Sequence, residues 1–447
     1  MFIKINIKDK ESNFKRDFDQ FKSELKFNFN INNNKNQFNN KIRIAIYTVS
    51  LSDGGLQRIT AKLINYFEGL KIFKIYLFTQ KEKEENEYKI SDKIARVVIK
   101  NIFYPKFLIK QIKKNKIDIF IYQFPIERDI RALNKLKNTK TIFYMHSSFL
   151  YWFYSKYFKI LNIYREYHNS NYLISIIPLE NDYLFKKWNI NSVFFDNFLT
   201  YDYDSTIPSN VSAKKILLIG RGRSKLKRFN LGIQSIEYIK NYIPNIELMI
   251  VSKFIEVDEL QNCINNLNLQ RNVVFANYSS DPSIYYKDAS LNFLTSISEG
   301  YPLVLSETKI HGIPNILMGL DYVSLAKNGT VIIYDDSPET LAKESLKILY
   351  KRVYKKKLSN EARTSMKQFE NIDLFNKWKI LLLTVINDLK NYTEYFGRKI
   401  NNSKELYSIL KNQIKLLKKR IPNLNITIAD IINLPYNNTI KKLSKLN

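Results

Sequence analysis

The sequence predicts an α/β chain built from two doubly wound parallel-sheet halves in tandem, with helical extensions at both ends. Three observations lead there. Short β-branched apolar runs alternate with stretches of helical period, the pattern of parallel strands covered by helices on both faces. The alternation starts twice, at "KIRIAIYTV" (41–49) and at "KKILLIG" (214–220), and the polar, turn-rich "LTYDYDSTIPSNVSA" (199–213) separates the two starts. Each opening strand runs into a glycine-containing turn, where open α/β sheets hold their ligands.

The elements follow in order. Residues 1–40 are rich in Asn, Lys and Phe and end in "NINNNKNQFNN", which reads as an appended segment with a short helix and a polar linker. The first Rossmann-like half spans 41–205, with strands at 41–49, 74–79, 117–122, 140–145 and 172–177 and a helix at 56–67. The second half spans 206–370, with strands at 214–220, 246–252, 272–276, 290–296 and 330–334. Its helices fall at 229–242, 256–267, 302–312 and 339–351. A further helical segment covers 371–390, and the basic extension 391–447 contains the amphipathic "SKELYSILKNQIKLLKKR" (403–420).

Composition bounds the function. A chain of 447 residues that is 45% hydrophobic can form two or three packed cores. Its one cysteine, Cys263, excludes an internal disulfide framework and fits a reducing compartment. With no secretory leader pattern and no apolar run of about 18 residues, the expected location is cytoplasmic. The net charge of +29 calls either for an anionic partner, such as the inner face of the cell membrane, or for a Lys-rich genomic bias spread over solvated faces. No DNA- or RNA-binding motif accompanies the charge, so nucleic acid is not expected. The aromatic-basic stretch 149–167, "FLYWFYSKYFKILNIYREY", suits a headgroup layer or, equally, an aromatic core helix.

Chemistry is expected where glycines follow strands, and this chain has only 11 glycines. Gly54 and Gly55 open the first helix, Gly220 and Gly222 follow strand 214–220, and Gly300 follows strand 290–296. Such turns bring backbone N–H groups close to a phosphate or sugar. "GRGRSKLKR" (220–228) adds cations suited to phosphate oxygens. In "SEGYPLVLSETKIHGIP" (298–314), Glu299 and Glu307 read either as acceptors for hydroxyls or as two exposed helix carboxylates.

These residues match a family. "GRGRSKLKRFNLGIQSI", "NVVFANYSSDPSIYYKDASLNFLTS" and "SEGYPLVLSETKIHGIPNI" resemble, in order and spacing, the C-terminal half of retaining GT-B glycosyltransferases of bacterial family four, the group 1 type. "RIAIYTVSLSDGGLQRITAKLIN" resembles that family's opening strand, turn and helix, and the resemblance covers about 41–390. It implies a GT-B fold: two Rossmann-like domains facing across a cleft, an acceptor domain at 41–205, a donor domain at 206–370 and a crossover helix carrying Trp378. It also implies a nucleotide-sugar donor, expected to be UDP-linked, and a glycan or lipid-linked acceptor. No cofactor or metal is implied.

Carried onto this chain, the resemblance places Arg221 and Lys227 on the diphosphate, with Gly54, Gly55 and Gly220 against it. Glu307 would hold the ribose and Glu299 the transferred sugar, with Gly300, Tyr301, Pro302 and Leu303 as the turn between them. His146, which ends the strand "TIFYMH", matches a histidine beside the sugar and acceptor. The Arg221–Lys227 gap is one residue longer than usual, which leaves Lys225 as an alternative to Lys227. "DYD" (202–204) lies between the halves and reads as turn chemistry, not as a metal site. A catalytically silent partner subunit and a GT-B-fold epimerase remain the competing readings.

Overall fold

The computed structural model describes residues 41–387, leaving out 53, 100–104, 147–162, 164, 171, 179, 182–189, 191, 221–223, 253–256, 278, 280, 321–325, 368 and 370. The predicted extensions 1–40 and 391–447 lie outside the described residues, as does most of the aromatic-basic stretch. Two parallel sheets organise the rest. The first has strands β1 (Ile42–Thr48), β2 (Phe73–Thr79), β3 (Ala95–Val98), β4 (Ile119–Tyr122), β5 (Lys140–Met145), β6 (Tyr172–Ser175) and β7 (Ser192–Phe194), in the order β3-β2-β1-β4-β5-β6-β7. The second has β8 (Lys215–Ile219), β9 (Glu247–Ser252), β10 (Val273–Asn277), β11 (Leu291–Leu294), β12 (Asn315–Met318) and β13 (Thr330–Ile333), in the order β10-β9-β8-β11-β12-β13. Both are doubly wound, with the strand order reversing beside the first strand.

The strand sequences explain the layering. In β1, Ile42, Ile44 and Ile46 enter one core while Ala45 and Tyr47 enter another. In β8, Ile216 and Leu218 join one cluster, and Leu217 and Ile219 join a second. Side chains alternate across a strand, so a continuous apolar run buries both faces, as a parallel sheet with helices on each side requires. Helix α1 (Gly55–Gly69) covers one face with Ile59, Leu63, Ile64 and Phe67, the 3–4 spacing of an amphipathic helix.

Between Lys106 and Leu133 the first sheet also carries α2 (Lys106–Lys114) and α3 (Glu127–Leu133). The second sheet carries α4 (Ser224–Lys227), α5 (Phe229–Lys240), α6 (Val257–Asn266), α7 (Ser283–Tyr286), α8 (Leu303–Ile310), α9 (Pro338–Tyr350) and α10 (Arg352–Met366). Gly312 ends α8 at φ +71, with its N–H donating to the Lys309 carbonyl at 2.9 Å; a left-handed residue here lets the chain turn sharply into β12.

Helix α11 (Asn371–Ile386) returns to the first sheet. Its Trp378 is fully buried, with ring centroids 5.1 Å from Tyr144, 5.2 Å from Phe195 and 6.0 Å from Phe67. Phe375 stacks on Tyr66 at 4.1 Å. Among the described residues no helix is long and apolar enough to cross a membrane.

Three strands and, in the second half, three helices (α4, α7 and α10) go beyond the sequence reading. β3, β7 and β12 span four, three and four residues. Helix α10 buries only Leu358, Ala362 and Met366 among many charges, so its apolar stripe is thin in the sequence.

Candidate active site

The strand ends at the two reversals of order meet across one cavity. On the first sheet, β1 leads to the Gly54–Gly55 turn, β4 leads to Gln123, and β5 leads to His146. On the second, β8 leads to Gly220, and β11 leads to the loop bearing Glu299 and Gly300. The cavity, about 300 Å³, is lined by Gly54, Gly55, His146, Gly220, Lys227, Glu299, Gly300, Tyr301, Pro302, Leu303 and Glu307, and also by Arg58 and Asn197. Eleven of the twelve candidate residues therefore converge; Arg221 lies outside the described residues.

Two helices begin at this cavity. Helix α1 starts at Gly55 and α8 at Leu303, and neither has an acidic residue in its first turn. Their N-terminal N–H groups and dipoles favour an anion between them. Lys227 supplies a positive charge beside them. Its backbone is pinned by the Thr295 hydroxyl, which donates to the Lys227 carbonyl at 2.6 Å. Its stem lies along Gly220, where a β-carbon would come within 3.1 Å of the Lys227 Cγ and Cδ. The Lys227 ammonium pairs with Glu299 Oε1, which also accepts from Ser296 Oγ at 2.6 Å. The residue after it, Arg228, takes a left-handed conformation (φ 49), and its Nε donates to the Thr295 carbonyl at 2.6 Å. That turn links α4 to α5 and sets where Lys227 stands.

Glu307 is buried and takes three protein donors, which leaves one of the carboxylate's roughly four acceptor sites, on Oε2, for a further hydroxyl. Its Oε1 accepts from Arg58 Nη1 and from Thr200 Oγ1, each at 2.6 Å, and its Oε2 accepts from the Tyr286 hydroxyl at 2.6 Å. Burial and the adjacent carboxylate push the Tyr286 phenol well above its ordinary range, so it remains a donor. Arg58 sits on α1 and Glu307 on α8, so this ion pair joins the two sheets' domains. Neither glutamate is an exposed helix carboxylate: the side chains are 12% exposed for Glu299 and 3% for Glu307.

The domains touch most closely at Gly300. A β-carbon there would lie 2.2 Å from the His146 carbonyl oxygen, a backbone atom that cannot yield. Asn197 Nδ2 donates to the Tyr301 carbonyl at 3.0 Å beside it. Gly300→Ala should therefore hold the domains apart, at an overpacking cost of about 1–3 kcal/mol. If the second domain holds a nucleotide donor, as the family resemblance implies, turnover should fall about five- to a hundredfold while nucleotide binding persists. Wild-type kinetics in this variant would mean that closure does not require contact at this point.

His146 is half-buried, and its Nε2 lies 3.0 Å from Gln123 Oε1. Burial pushes its pKa down to about 3, so the imidazole is neutral at physiological pH. Its folded-state value lies below the ordinary 6.5. The folded state therefore holds fewer protons than the unfolded state in that window, and this residue's support for the fold weakens as pH drops from 6.5 towards 3. Among the described residues no group of three or more His, Cys, Asp or Glu side chains could hold a metal ion. Asp202 accepts from Thr206 Oγ1 at 2.5 Å through its carbonyl, within a turn.

Sequence reasoning missed Arg58, Gln123, Asn197, Thr200 and Tyr286. Arg58 had a signal, one helical turn after Gly54–Gly55. Thr200 had none, because it sits in the polar stretch between the halves, and Tyr286 and Gln123 looked like ordinary core-edge residues.

Comparison with known proteins agrees with this fold. Residues 203–365 match the family model for glycosyl transferases group 1. A Haemophilus influenzae protein described as an uncharacterized glycosyltransferase is 26% identical over 207 residues, 44% of this chain and 56% of that protein, so the match spans about half the relative's length. The fold is that of solved GT-B glycosyltransferases. Anabaena Alr3699/HepE, solved with UDP and glucose, superposes with a TM-score of 0.63 at 12% identity, covering 76% of this chain and 99% of that one. WaaG, described as a glycosyltransferase involved in lipopolysaccharide biosynthesis, gives 0.61 at 15% identity, covering 77% and 99%.

Proposed function

We propose that this chain, whose residues 203–365 are a group 1 glycosyl transferase domain within a GT-B fold, transfers a sugar from a nucleotide-sugar donor to an acceptor hydroxyl with retention of configuration. The observation that carries the reading is the convergence of Lys227, two helix N-termini, Glu299, Glu307 and His146 on one interdomain cavity. The donor is UDP-linked, a reading supported by the UDP bound to the Anabaena neighbour. Lys227, with Arg221, neutralises the diphosphate; Glu307 accepts from the ribose hydroxyls; Glu299 accepts from the transferred sugar; His146 lies beside the sugar and the incoming acceptor.

The acceptor oxygen attacks the anomeric carbon from the face the diphosphate leaves. The bond from that carbon to the phosphate oxygen breaks as the new glycosidic bond forms, and the departing phosphate oxygen takes the acceptor's proton. Fixed cations and helix dipoles stabilise the charge that develops on the leaving group, so the step calls for neither metal nor cofactor. A thermal-shift series with nucleotides and nucleotide sugars tests the reading: a ligand at 100 times its Kd should stabilise the protein by about 2.7 kcal/mol. No stabilisation by any nucleoside diphosphate would contradict it.

The acceptor is an envelope glycan or a lipid-linked sugar, as the lipopolysaccharide role named for WaaG suggests, and the +29 charge brings the protein to an anionic membrane surface. Binding to anionic vesicles should be peripheral and salt-sensitive, each nearby Lys or Arg adding about 1 kcal/mol that screening removes. Flotation indifferent to both anionic lipid and salt would refute this.

A further inference from the structure

The geometry points to Gln123 as a positioning residue that fixes His146, a residue lining the cavity, in its Nε2–H tautomer, so that Nδ1 is left as the ring's acceptor nitrogen. The argument starts at a backbone carbonyl, which can only accept. Thr60 Oγ1 has its one proton closer to the Leu56 carbonyl, at 2.8 Å, than to Gln123 Oε1, at 3.4 Å, and with that proton on Leu56 it accepts from Gln123 Nε2 at 2.9 Å. Gln123 Nε2 also lies 3.2 Å from the Tyr47 carbonyl. Two acceptors on one side of the amide settle its orientation: the NH₂ faces Tyr47 and Thr60, and Oε1 faces His146 at 3.0 Å. An amide oxygen cannot donate, so His146 Nε2 carries the proton and Nδ1 carries the lone pair.

Placement favours the same conclusion. Gln123 is 4% exposed and directly follows β4, at the reversal of strand order. Tyr47 belongs to β1, and Thr60 and Leu56 belong to α1, the helix that opens at Gly55 against the cavity. The proton arrangement at His146 is thus tied to the rigid centre of the first domain. Among the described residues the ring is faced by Tyr144 of β5, at 3.9 Å between centroids, and by Gln123, while Gly300 packs against the His146 backbone carbonyl. The charged side chains that share the cavity are Arg58, Lys227, Glu299 and Glu307. With Nδ1 as acceptor, a donor sugar that presents a hydroxyl there is favoured over its deoxy analogue, because the unpaired nitrogen would otherwise lose its partner. This consequence rests on the sugar-transfer reading; the tautomer itself does not.

The full-length chain labelled with ¹⁵N-histidine tests both. It has three histidines, so a His146→Gln difference spectrum identifies the His146 signals. Long-range ¹⁵N–¹H correlation at neutral pH should show a protonated Nε2 and an unprotonated Nδ1. A protonated Nδ1, or an imidazolium, would overturn the assignment. Gln123→Met removes the acceptor: the tautomer signature should become mixed and kcat should fall about tenfold or more, as when an outer partner that orients a histidine is lost. Its affinity for UDP should stay within about twofold, since UDP carries no sugar to meet the ring. An unchanged tautomer in Gln123→Met would also overturn the proposal. If that variant does not fold, Gln123→Glu should make His146 imidazolium near neutrality, with activity returning as pH rises; a neutral ring there would count against it. A wild-type protein that shows the Nε2–H tautomer but transfers no sugar would leave the positioning intact and sink the transferase reading alone.

Discussion

Lys227→Ala should lower turnover about a hundred- to a thousandfold, a loss of roughly 2.7–4 kcal/mol in stabilisation of the transition state. In the structure the Lys227 ammonium is held by Glu299, and its backbone by Thr295. On the proposed reading, a diphosphate entering between the two helix N-termini would compete with Glu299 for that charge and free the carboxylate for the sugar. Negative charge grows on the leaving phosphate as the glycosidic bond breaks, so the ammonium binds the transition state more tightly than the ground state. Turnover should therefore fall further than donor affinity. Arg221→Ala should behave alike, while Lys225→Ala should matter little. Steady-state kinetics of the three variants check this. A dead Lys225 variant beside a healthy Lys227 variant would move the diphosphate contact by two residues.

Glu307→Ala should damage both binding and stability. Three donors from three parts of the chain, Arg58, Thr200 and Tyr286, share its carboxylate, and the Arg58 side chain is only 12% exposed. Removing the acceptor takes from the half-buried Arg58 guanidinium its carboxylate partner, which costs about 1.5–3 kcal/mol of folding stability. Loss of a charged acceptor for the ribose should weaken nucleotide binding by a further 1.5–3 kcal/mol or so. Glu307→Gln keeps the shape and one carbonyl acceptor, so it separates the two effects: most of the fold should survive while nucleotide affinity drops. Denaturant unfolding and calorimetric titration with UDP measure each. Unchanged UDP affinity in both variants would remove Glu307 from the ribose.

Much of this architecture was legible before any coordinates. β1 and β8 are long apolar runs followed by glycine, and they became the centres of the two sheets. Glu299, Gly300 and Glu307 stood at a spacing the group 1 resemblance supplied. What the sequence hid were contacts between domains. Nothing local marks Thr200 as a partner of a residue 107 positions away, or Arg58 as a partner of one 249 positions away. The order of Gln123, Thr60 and Tyr47 around His146 likewise depends on three strands and a helix meeting, which no one-dimensional period encodes. Short strands such as β12 escaped because neighbouring strands, not their own four residues, define them.

The release of nucleoside diphosphate from nucleotide sugars by the purified full-length chain, in excess EDTA, tests the central claim most directly. The expected result is enzyme-dependent release from at least one UDP-sugar, undiminished by the chelator and nearly abolished by Lys227→Ala. Release that stops in EDTA and returns with manganese would contradict the metal-free step. Nucleotide-dependent stabilisation with no release from any donor, with or without an added acceptor, would contradict transfer itself and leave a silent partner subunit in its place.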